Sequence, residues 1–385
     1  MMTYFSSDFT LGILGGGQLG KMLLAETQKW DIQTLVMDPS DGAPARVGAH
    51  AFIKGDLMDY EAVLNFGRKV NVLTIEIENV NVAALKKLEA EGVKVFPKPD
   101  ALQIIQSKAT QKQFYADHAL PTADFQIFQS LTDLKEALSS AVFSYPFVWK
   151  KARFGYDGFG VKVIKKLSDL DHLPDECCII EALIPFKNEL SVIVARNALG
   201  EIKTFPVVEM EFHPEANQVE YVICPARIPE SVRVKAQDIA VRVAKAFDFV
   251  GLLAVEMFQT QTDDLMVNEV APRPHNSGHY SIEASVTSQF EQHLRAILNL
   301  PLGDTSSLCA GVMVNLVGAE GFSGDVVYEG IETIMSMPGV TPHLYGKRQT
   351  RPFRKMGHVT IVHQEVSEAR KIAEQVKSTI RVIAT

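Results

Sequence analysis

The sequence has few of the features that mark secreted, membrane or nucleic-acid-binding proteins. Its four cysteines, of which Cys177 and Cys178 are adjacent, have neither zinc-ligand nor disulfide-framework spacing. No apolar run approaches the ~20 residues that cross a bilayer, and residues 1–10 lack the basic region, apolar core and cleavage site of a signal peptide. A net charge of -8 disfavours nucleic-acid and anionic-membrane partners. We therefore expect a reduced, cytoplasmic protein.

The remaining composition is that of an ordinary soluble globular protein, with 46% hydrophobic and 22% charged residues. A chain of 385 residues is long enough for two or three domains with ample core. No internal repeat or low-complexity tract is present. The function must therefore be inferred from local motifs.

Two acidic residues lie inside apolar runs in the middle of the chain. Glu256 is in LLAVEMF and Glu269 is in LMVNEV, and Asp263-Asp264 between them is a natural hairpin turn. A carboxylate in a buried strand must be paired, hydrogen-bonded or bound to a cation. Asn268 adds a neutral oxygen ligand, and Mg²⁺ prefers carboxylate oxygens used together with substrate phosphates. The pattern predicts a metal-binding hairpin.

The segment that follows, APRPHNSGH, brings a guanidinium, two imidazoles, an amide and a hydroxyl together. Two prolines and a glycine exclude regular helix or strand there. A solvated polar loop that ends in a helix N-cap is the alternative. Because the segment adjoins two buried glutamates, we interpret Arg273, His275 and Asn276 as part of an anion-binding loop beside a metal.

The N-terminal region alternates strands and helices and predicts a parallel α/β sheet that ends near residue 100. The strand Thr10–Leu14 runs into GGGQLG, which matches G-x-G-x-x-G, and a second strand ends at Asp38, where a ribose-binding acid of a Rossmann fold would lie. Dinucleotide binding is one interpretation. A helix N-terminus that accepts some other phosphate, or a glycine turn that only packs the helix on its strand, are the others.

Two further acids, Glu76 and Glu78, are at the end of the predicted third strand, Val72–Ile77. Ligands of open α/β sheets gather at such strand ends. Spacing of two residues places both acids on one face of the strand. Ligand contact and an inert, exposed pair are equally compatible with this pattern.

A glycine-rich loop, Gly155–Val161, follows a strand that ends in Lys150 and Lys151. Three glycines within six residues allow backbone amides to fold over phosphate oxygens, with a lysine as the cation. A plain β-hairpin turn is the alternative.

Further on, the strand Cys178–Ile184 and the residues after it would present backbone groups to an adenine edge, with Glu189 reaching a ribose.

The C-terminal segment has five cations within nine residues, in YGKRQTRPFRKMGH. Arginine forks and lysine charges suit a phosphate dianion, whereas a solvated surface run is the alternative. Pro301–Thr305 reads as a linker before this segment, and Glu365–Ile383 reads as an amphipathic helix.

Together these motifs closely resemble the ATP-grasp superfamily and, within it, the family of N5-carboxyaminoimidazole ribonucleotide synthetases. The resemblance runs from GILGGGQLGKM through SKATQKQF, GYDGFG and NEVAPRPHNSGHYSIEAS to RKMGH. It implies an α/β fold, α+β in parts. The expected parts are a Rossmann-like pre-grasp domain (1–105), an ATP-grasp domain (106–300, with a flap subdomain to about 185 and a metal subdomain from about 186) and a small C-terminal domain (301–385).

The resemblance also implies an ATP-dependent ligase, usually a homodimer. Members use ATP, Mg²⁺ (Mn²⁺ is possible) and bicarbonate to carboxylate 5-aminoimidazole ribonucleotide in purine biosynthesis, and release ADP and phosphate. By motif, the metal ligands would be Glu256 and Glu269. The nucleotide would contact Lys108, Lys150, Gly155, Tyr156, Asp157, Gly158, Phe159, Gly160, Val161, Glu181, Ala182, Leu183, Ile184, Glu189, His213, Asn268 and Glu269.

The remaining roles implied by the resemblance concern the ribonucleotide and catalysis. Gln18, Glu76, Asn276, Lys347 and Arg354 would bind substrate, the last two through a 5′-phosphate. Arg273 and His275 would stabilise a carboxyphosphate, and Asp157 or Glu76 would accept the amine proton. In this light the glycine loop serves the ribonucleotide rather than a dinucleotide.

The sequence departs from the family pattern at the flap, where one glycine is missing and Phe159 and Val161 replace Lys and Gln. Because one residue is missing, the alignment with the family pattern leaves either Lys150 or Lys151 as the lysine that contacts phosphate. Three alternatives remain for the whole chain. They are another ATP-grasp ligase such as a formate-dependent glycinamide ribonucleotide transformylase, an NAD-dependent oxidoreductase, and a catalytically silent nucleotide-binding subunit.

Overall fold

The structure is a computed structural model that describes residues 4–139, 144–153, 160–213 and 218–385. Its N-terminal part is a five-stranded parallel sheet in the order β3-β2-β1-β4-β5, with helices as crossovers. The strands are β1 Thr10–Leu14, β2 Gln33–Asp38, β3 Ala51–Lys54, β4 Val72–Ile75 and β5 Lys94–Phe96. The helices are α1 Gln18–Lys29, α2 Tyr60–Gly67 and α3 Val82–Ala90.

This sheet follows the sequence pattern closely, because its central strands are short, apolar and buried on both faces. The predicted boundaries were wrong at one point. Strand β4 ends at Ile75 rather than Ile77, before Glu76 and Glu78. Those two acids therefore lie in the segment after the strand, and the alternation of a strand does not govern their directions.

A second layer is a four-stranded antiparallel sheet in the order β6-β9-β7-β8. Strands β7 and β8 form a hairpin, so the glycine-rich loop does join two paired strands. Residues 154–159 of that loop, including Gly155, Tyr156, Asp157, Gly158 and Phe159, lie outside the described residues. The elements are α4 Pro99–Ile105, α5 Lys108–Asp117, β6 Phe125–Phe128, α6 Leu131–Ser139, β7 Phe147–Lys151, β8 Val161–Ile164 and β9 Cys178–Ala182.

The largest element is a nine-stranded sheet with the path β15-β14-β10-β12-β13-β16-β20-β18, to which β11 adds beside β10. Helix α7 covers one face of this sheet. The elements of this middle part of the chain are β10 Phe186–Arg196, β11 Ile202–Thr204, β12 Val208–Phe212, β13 Val219–Cys224, α7 Glu230–Ala246, β14 Gly251–Thr260, β15 Leu265–Ala271, α8 Ser281–Ala284 and α9 Gln289–Ile297.

The C-terminal segment adds strands to this same sheet instead of building a separate one. Strand β16 pairs with β13, with Tyr221 opposite Val314. A small three-stranded sheet, β19-β17-β21, lies beside it. The elements are β16 Ala310–Val317, β17 Gly324–Glu329, α10 Ile331–Met335, β18 Val340–Leu344, β19 Gln349–Thr350, β20 Lys355–His363, α11 Val366–Thr379 and β21 Arg381–Ala384.

One prediction for this segment was wrong. The helix predicted over Glu365–Ile383 ends at Thr379, and Arg381–Ala384 forms strand β21 paired with β17. The segment Pro301–Thr305, predicted as a linker, is irregular, and its Leu302 is 5% exposed and joins a core cluster with Ile193. No helix among the described residues is long and apolar enough to cross a membrane.

Candidate active site

The candidate site is built on the β14–β15 hairpin, where Glu256 and Glu269 are directly opposite each other. A bulge follows: Met257 pairs with Val267, so Asn268 is an extra residue in β15. A bulge changes the direction of side chains next to a site. Here Asn268 accepts a hydrogen bond from Lys150, and Glu269 accepts one from Lys108. Ser191 of β10 pairs with Glu256, which extends the polar face across a third strand.

The two glutamates have opposite electrostatic environments. Burial, reinforced by the charge of Glu269, raises the pKa of Glu256. The ammonium of Lys108, which is hydrogen-bonded to Glu269, lowers the pKa of that carboxyl. The side chain of Glu269 is 39% exposed and that of Glu256 is 15% exposed. Glu269 is therefore the more solvent-accessible acid, whereas Glu256 is the more enclosed one.

This donor set fits a hard divalent cation that shares its coordination with a ligand. The described residues hold no cluster of three or more His, Cys, Asp or Glu that would bind a metal alone. They do hold two carboxylates opposite each other and the adjacent amide oxygen of Asn268. Mg²⁺ is commonly held by one or two carboxylates together with phosphate oxygens.

A buried lysine cluster lies beside the hairpin. The Nζ of Lys150 donates to Glu181 at 3.0 Å and to the amide oxygen of Asn268 at 2.9 Å. Lys151, the other candidate, pairs with Glu176 at 2.9 Å. Of the two lysines, Lys150 is therefore the one within the cluster.

Lys112 belongs to the same cluster as Lys150, because both contact Glu181. Lys112 is 3% exposed, and its Nζ is 3.2 Å from the Oε2 atom of Glu181. Burial lowers the pKa of Lys112 to about 8. Burial also opposes ionisation of Glu181, but Lys150 and Lys112 hold the pKa of that carboxyl below its ordinary value. Glu181 is thus an ionised carboxylate shared by two ammonium groups.

The loop after β15 is held in one conformation by a buried glutamine. The Oε1 atom of Gln289 accepts from the backbone N–H of His275 at 2.8 Å, and its Nε2 donates to the backbone oxygen of His275 at 2.8 Å. The N–H of Ser277 donates to the Nδ1 atom of His275, so in the neutral ring the proton is on Nε2. That Nε2 is 3.3 Å from Glu256.

The same loop contacts the neighbouring parts of the protein. Arg273 pairs with Glu78 at 2.9 Å, across to the end of β4. Asn276 and Asn315 of β16 hydrogen-bond to each other in both directions at 2.9 Å. Residues from the N-terminal, grasp and C-terminal parts of the chain therefore meet at this loop.

The glycine loop after β1 is occupied by the protein's own carboxylates. Glu76 accepts from the backbone N–H groups of Gly17 at 2.9 Å and Gly20 at 3.1 Å, and Asp38 accepts from Gly16 at 2.8 Å. Burial raises the pKa of Glu76, although these two backbone donors oppose the shift. In this structure Glu76 thus takes up backbone donors that a phosphate at this helix N-terminus would need, and phosphate binding here stays a prediction.

The cationic loop of the C-terminal segment adjoins helix α1. The Nζ of Lys21 donates to the backbone oxygen of Leu344 at 2.8 Å, which brings the helix that starts at Gln18 next to this loop. Lys347 donates to the backbone oxygen of Lys355 at 2.7 Å, and Arg354 to that of Gln349 at 2.5 Å. Gln18, Glu76 and the cationic loop thus border one region.

The remaining predicted nucleotide residues are distributed as follows. Glu181 and Ala182 end β9, Leu183 and Ile184 begin the connection to β10, and Gly160 and Val161 lie where the hairpin loop rejoins β8. Burial raises the pKa of Glu189, within β10, to about 7. His213 lines a cavity with Gln218, Asn315 and Phe353.

Three residues of this region were missed from the sequence: Lys112, Gln289 and Asn315. Lys112 follows Lys108 by four residues, so both lie on one face of α5, and this spacing was an available signal. Gln289 and Asn315 act through contacts far apart in sequence, and no local pattern marks them.

Comparisons with known proteins agree with this architecture. Residues 9–106 match the ribonucleotide synthetase preATP-grasp domain. Residues 113–290 match the ATP-grasp domain, and residues 311–372 match the phosphoribosylaminoimidazole carboxylase C-terminal domain. The sequence expectation of an ATP-grasp fold with a pre-grasp and a C-terminal domain is confirmed.

Individual relatives match over nearly the whole chain. The N5-carboxyaminoimidazole ribonucleotide synthase of Bacillus subtilis is 39% identical over 363 residues, which cover 93% of this chain and 92% of the relative. The crystal structure of the Thermotoga maritima synthetase is 40% identical, with a TM-score of 0.89 over 98% of this chain and 100% of that chain.

A third relative carries ligands. The synthase of Aspergillus clavatus, in complex with ADP and 5-aminoimidazole ribonucleotide, is 32% identical, with a TM-score of 0.88 over 97% of this chain and 98% of that chain. The identities and the coverage lead to one conclusion about the family. The chain belongs to the N5-carboxyaminoimidazole ribonucleotide synthase family and is an ATP-dependent ligase.

Proposed function

We propose that this protein carboxylates the exocyclic amine of 5-aminoimidazole ribonucleotide with ATP and bicarbonate, and releases ADP and phosphate. The observation that carries the proposal is the β14–β15 hairpin, whose Glu269 faces Lys108 while Asn268 faces Lys150. The loop with Arg273 and His275 adjoins it. A metal-and-phosphate site is thus next to an anion-binding loop, as ATP and bicarbonate require.

In this proposal the nucleotide lies between the four-stranded sheet and the hairpin. Glu256 and Glu269 would hold Mg²⁺, or Mn²⁺, with Asn268 beside them, and the metal would neutralise phosphate charge. Lys108 and Lys150 would exchange their carboxylate and amide partners for phosphate oxygens. In the described part of the chain the Oε1 atom of Glu181 is buried without a hydrogen-bond partner. It is suited to accept from the amino group of adenine.

The base and ribose would be held by the segment after β9. Ala182, Leu183 and Ile184 would offer backbone groups, and Glu189 would reach the ribose. The glycine-rich loop from Gly155 to Val161 would cover the phosphates. For His213 we retain the proposed nucleotide contact; its ring lies edge-on to that of Phe353, with 6.2 Å between the ring centroids.

The ribonucleotide would lie where the three parts of the chain meet. Gln18 and Glu76 would border its base, and Lys347 and Arg354 would bind its 5′-phosphate. Support comes from the Lys21–Leu344 hydrogen bond, which holds α1 against the cationic loop. Asn276, fixed by Asn315, would contact substrate from the loop side.

The proposed reaction has two steps, a phosphoryl transfer to bicarbonate and a carboxyl transfer to the amine. Bicarbonate oxygen attacks the γ-phosphorus, ADP leaves, and Lys150 neutralises charge on the transferred group. Arg273 and His275 then stabilise the carboxyphosphate while water is excluded. The amine attacks its carbonyl carbon, or CO₂ released from it, and phosphate leaves. Asp157 or Glu76 accepts the amine proton, with Asp157 preferred.

We further propose a cytoplasmic homodimer in which the pre-grasp, ATP-grasp and C-terminal domains are bounded near residues 105 and 300. The alternative ligase, a formate-dependent transformylase, is less consistent with the relatives. An oxidoreductase is disfavoured because Glu76 occupies the loop that would bind a dinucleotide pyrophosphate. Retention of Glu256 and Glu269 argues against a silent subunit.

The test is ADP release with ATP, Mg²⁺ and bicarbonate, with and without 5-aminoimidazole ribonucleotide. We expect strong stimulation by the ribonucleotide, loss of it in Glu269→Gln, and retention in Glu332→Gln, an exposed acid on α10. Replacing bicarbonate by formate should abolish the stimulation. Stimulation by formate, or none by the ribonucleotide, would exclude the proposed reaction and leave only the fold.

A further inference from the structure

Two lysines share one carboxylate in the proposed nucleotide site, and their surroundings differ. Lys112 is surrounded by three fixed acceptors: the Oε2 atom of Glu181 at 3.2 Å, the Oγ1 atom of Thr122 at 2.7 Å and the backbone oxygen of Val267 at 3.5 Å. An ammonium has three donors. All three N–H groups of Lys112 therefore have partners, and Lys112 has none left for a ligand.

Two of the acceptors around Lys112 are themselves held by further hydrogen bonds. Thr122 donates to the backbone oxygen of Val267 at 2.8 Å, and the N–H of Val267 donates to the backbone oxygen of Pro121 at 2.7 Å. These bonds tie the segment after α5 to the edge of β15. Lys112 thus belongs to a framework that joins α5, β9 and β15.

Lys150 differs from Lys112 in the groups that it contacts. It donates to two side chains, and a bound nucleotide and metal would change the surroundings of both. Its partners are Glu181 and Asn268. Asn268 is the bulged residue next to the proposed metal ligand Glu269. Lys150 is therefore the ammonium that is placed to turn toward phosphate.

When Lys150 turns, Glu181 loses one of its two cations. A buried carboxylate with no cation is strongly disfavoured, so without another partner Glu181 and the phosphates would compete for Lys150. Lys112 removes that competition, because it stays on Glu181 when Lys150 leaves.

We propose that Lys112 is a positioning residue that neutralises Glu181 in the nucleotide-bound state and so frees Lys150 for the phosphates of ATP. This inference rests on the proposed function only in placing the triphosphate at Lys150. It assigns to Lys112 no contact with substrate. Its consequence is a specific one, since Lys112 matters for the phosphate part of the nucleotide and not for the nucleoside part.

The test compares equilibrium binding of adenosine and of ATP with Mg²⁺, by calorimetry, in the absence of bicarbonate and ribonucleotide. In Lys112→Met we expect adenosine affinity to be retained, because Lys150 remains on Glu181. ATP affinity should fall about ten- to a hundred-fold, the range for loss of a charge-assisted hydrogen bond. In turnover, the KM for ATP should rise while the KM for the ribonucleotide is unchanged.

A double variant checks the cause. Glu181→Gln in the Lys112→Met background removes the carboxylate that holds Lys150, so the ratio of ATP to adenosine affinity should return toward that of the wild type. Gln113→Met is the matched control, an exposed residue on the same helix whose amide donates to Asp117. It should change neither affinity.

Other outcomes would overturn the inference. Equal losses of adenosine and ATP affinity would mean that Lys112 is only structural, and unchanged ATP affinity would mean that Lys150 needs no replacement on Glu181. If Lys112→Met does not fold, Thr122→Val loosens the same ammonium and must lower ATP affinity selectively. A wild type that binds ATP no better than adenosine would instead refute the proposed nucleotide site itself.

Discussion

Arg273 and Glu78 form an ion pair, 2.9 Å between Nη2 and Oε1, that joins the loop after β15 to the segment after β4. The side chains are 19% and 28% exposed, so solvent screens the pair only in part. Arg273 also donates to the backbone oxygen of Pro274. The direction of this guanidinium is therefore set jointly by its own loop and by the N-terminal sheet.

Replacing Glu78 by Gln should reduce turnover without affecting nucleotide binding. The amide keeps the shape but lacks the charge that orients Arg273, and loss of one charge-assisted bond corresponds to about a ten-fold fall in kcat. Steady-state kinetics with ATP, bicarbonate and ribonucleotide would measure this. Glu61→Gln, at an exposed position on α2, should leave kcat unchanged. A normal kcat in Glu78→Gln would show that Glu78 is not needed to orient Arg273 for turnover.

Gln289→Leu should destabilise the protein. Its amide is 0% exposed and satisfies the backbone N–H and oxygen of His275 as well as the ring of His279. Leaving buried polar groups without partners costs about 1–3 kcal/mol in the free energy of unfolding. Denaturant titration would measure the loss.

The control for this change is Gln103→Leu, at an exposed position on α4. A surface change of this kind stays within about 0.5 kcal/mol. Equal stabilities of the two variants would show that the loop after β15 does not depend on Gln289.

Arg354→Met should weaken ribonucleotide binding selectively. If Arg354 binds the 5′-phosphate, its loss should raise the KM for the ribonucleotide about ten- to a hundred-fold and leave the KM for ATP unchanged. Arg348→Met, a more exposed cation of the same loop, is the matched control. A similar effect of both variants would point to general electrostatic attraction, and raised salt would then mimic it.

The stability of the protein should fall as the pH is lowered through the range of an ordinary histidine. His293 is 1% exposed, its Nε2 is 2.9 Å from Thr74 Oγ1, and burial lowers its pKa to about 3. A depressed folded-state pKa means that the unfolded chain binds more protons, so stability present above pH ~6.5 is lost on acidification.

Between pH 7.5 and 5.5 this group should contribute a loss of about 1.4 kcal/mol in the free energy of unfolding. His293→Leu should remove that part of the pH dependence, whatever its effect on stability at neutral pH. His172→Leu, at an exposed position, should leave the slope unchanged. A slope unaltered in His293→Leu would mean that other groups govern the acid sensitivity.

Much of the fold was predictable because local and global preferences agree. The strands of the N-terminal sheet and the β14–β15 hairpin are apolar runs bounded by turn residues, and they form where the pattern predicts. The glycine loop was ambiguous, because only the fold brings Glu76 from 59 residues away to Gly17. The end of α11 was predicted wrongly, because Arg381–Ala384 gains a strand partner that is distant in sequence.

The site was predictable in composition but not in geometry. The types and neighbourhood of Glu256, Glu269 and Arg273 follow from the motif, whereas the bulge at Asn268 depends on strand register. Lys112 was overlooked because an amphipathic helix normally keeps lysine in solvent. Its burial results from packing of α5 against β9 and β15, which no single segment of sequence encodes.

The unbroken hydrogen bonding from β13 to β16 restricts how this chain can be divided. A fragment that ends at residue 300 would leave β13 with a row of unpaired backbone groups and expose Tyr221 and Ile223, which are now core residues. Open, apolar strand edges recruit other chains. Separately expressed halves should therefore aggregate alone and be recovered only by co-expression, so fusion partners are better placed at the termini than at this junction.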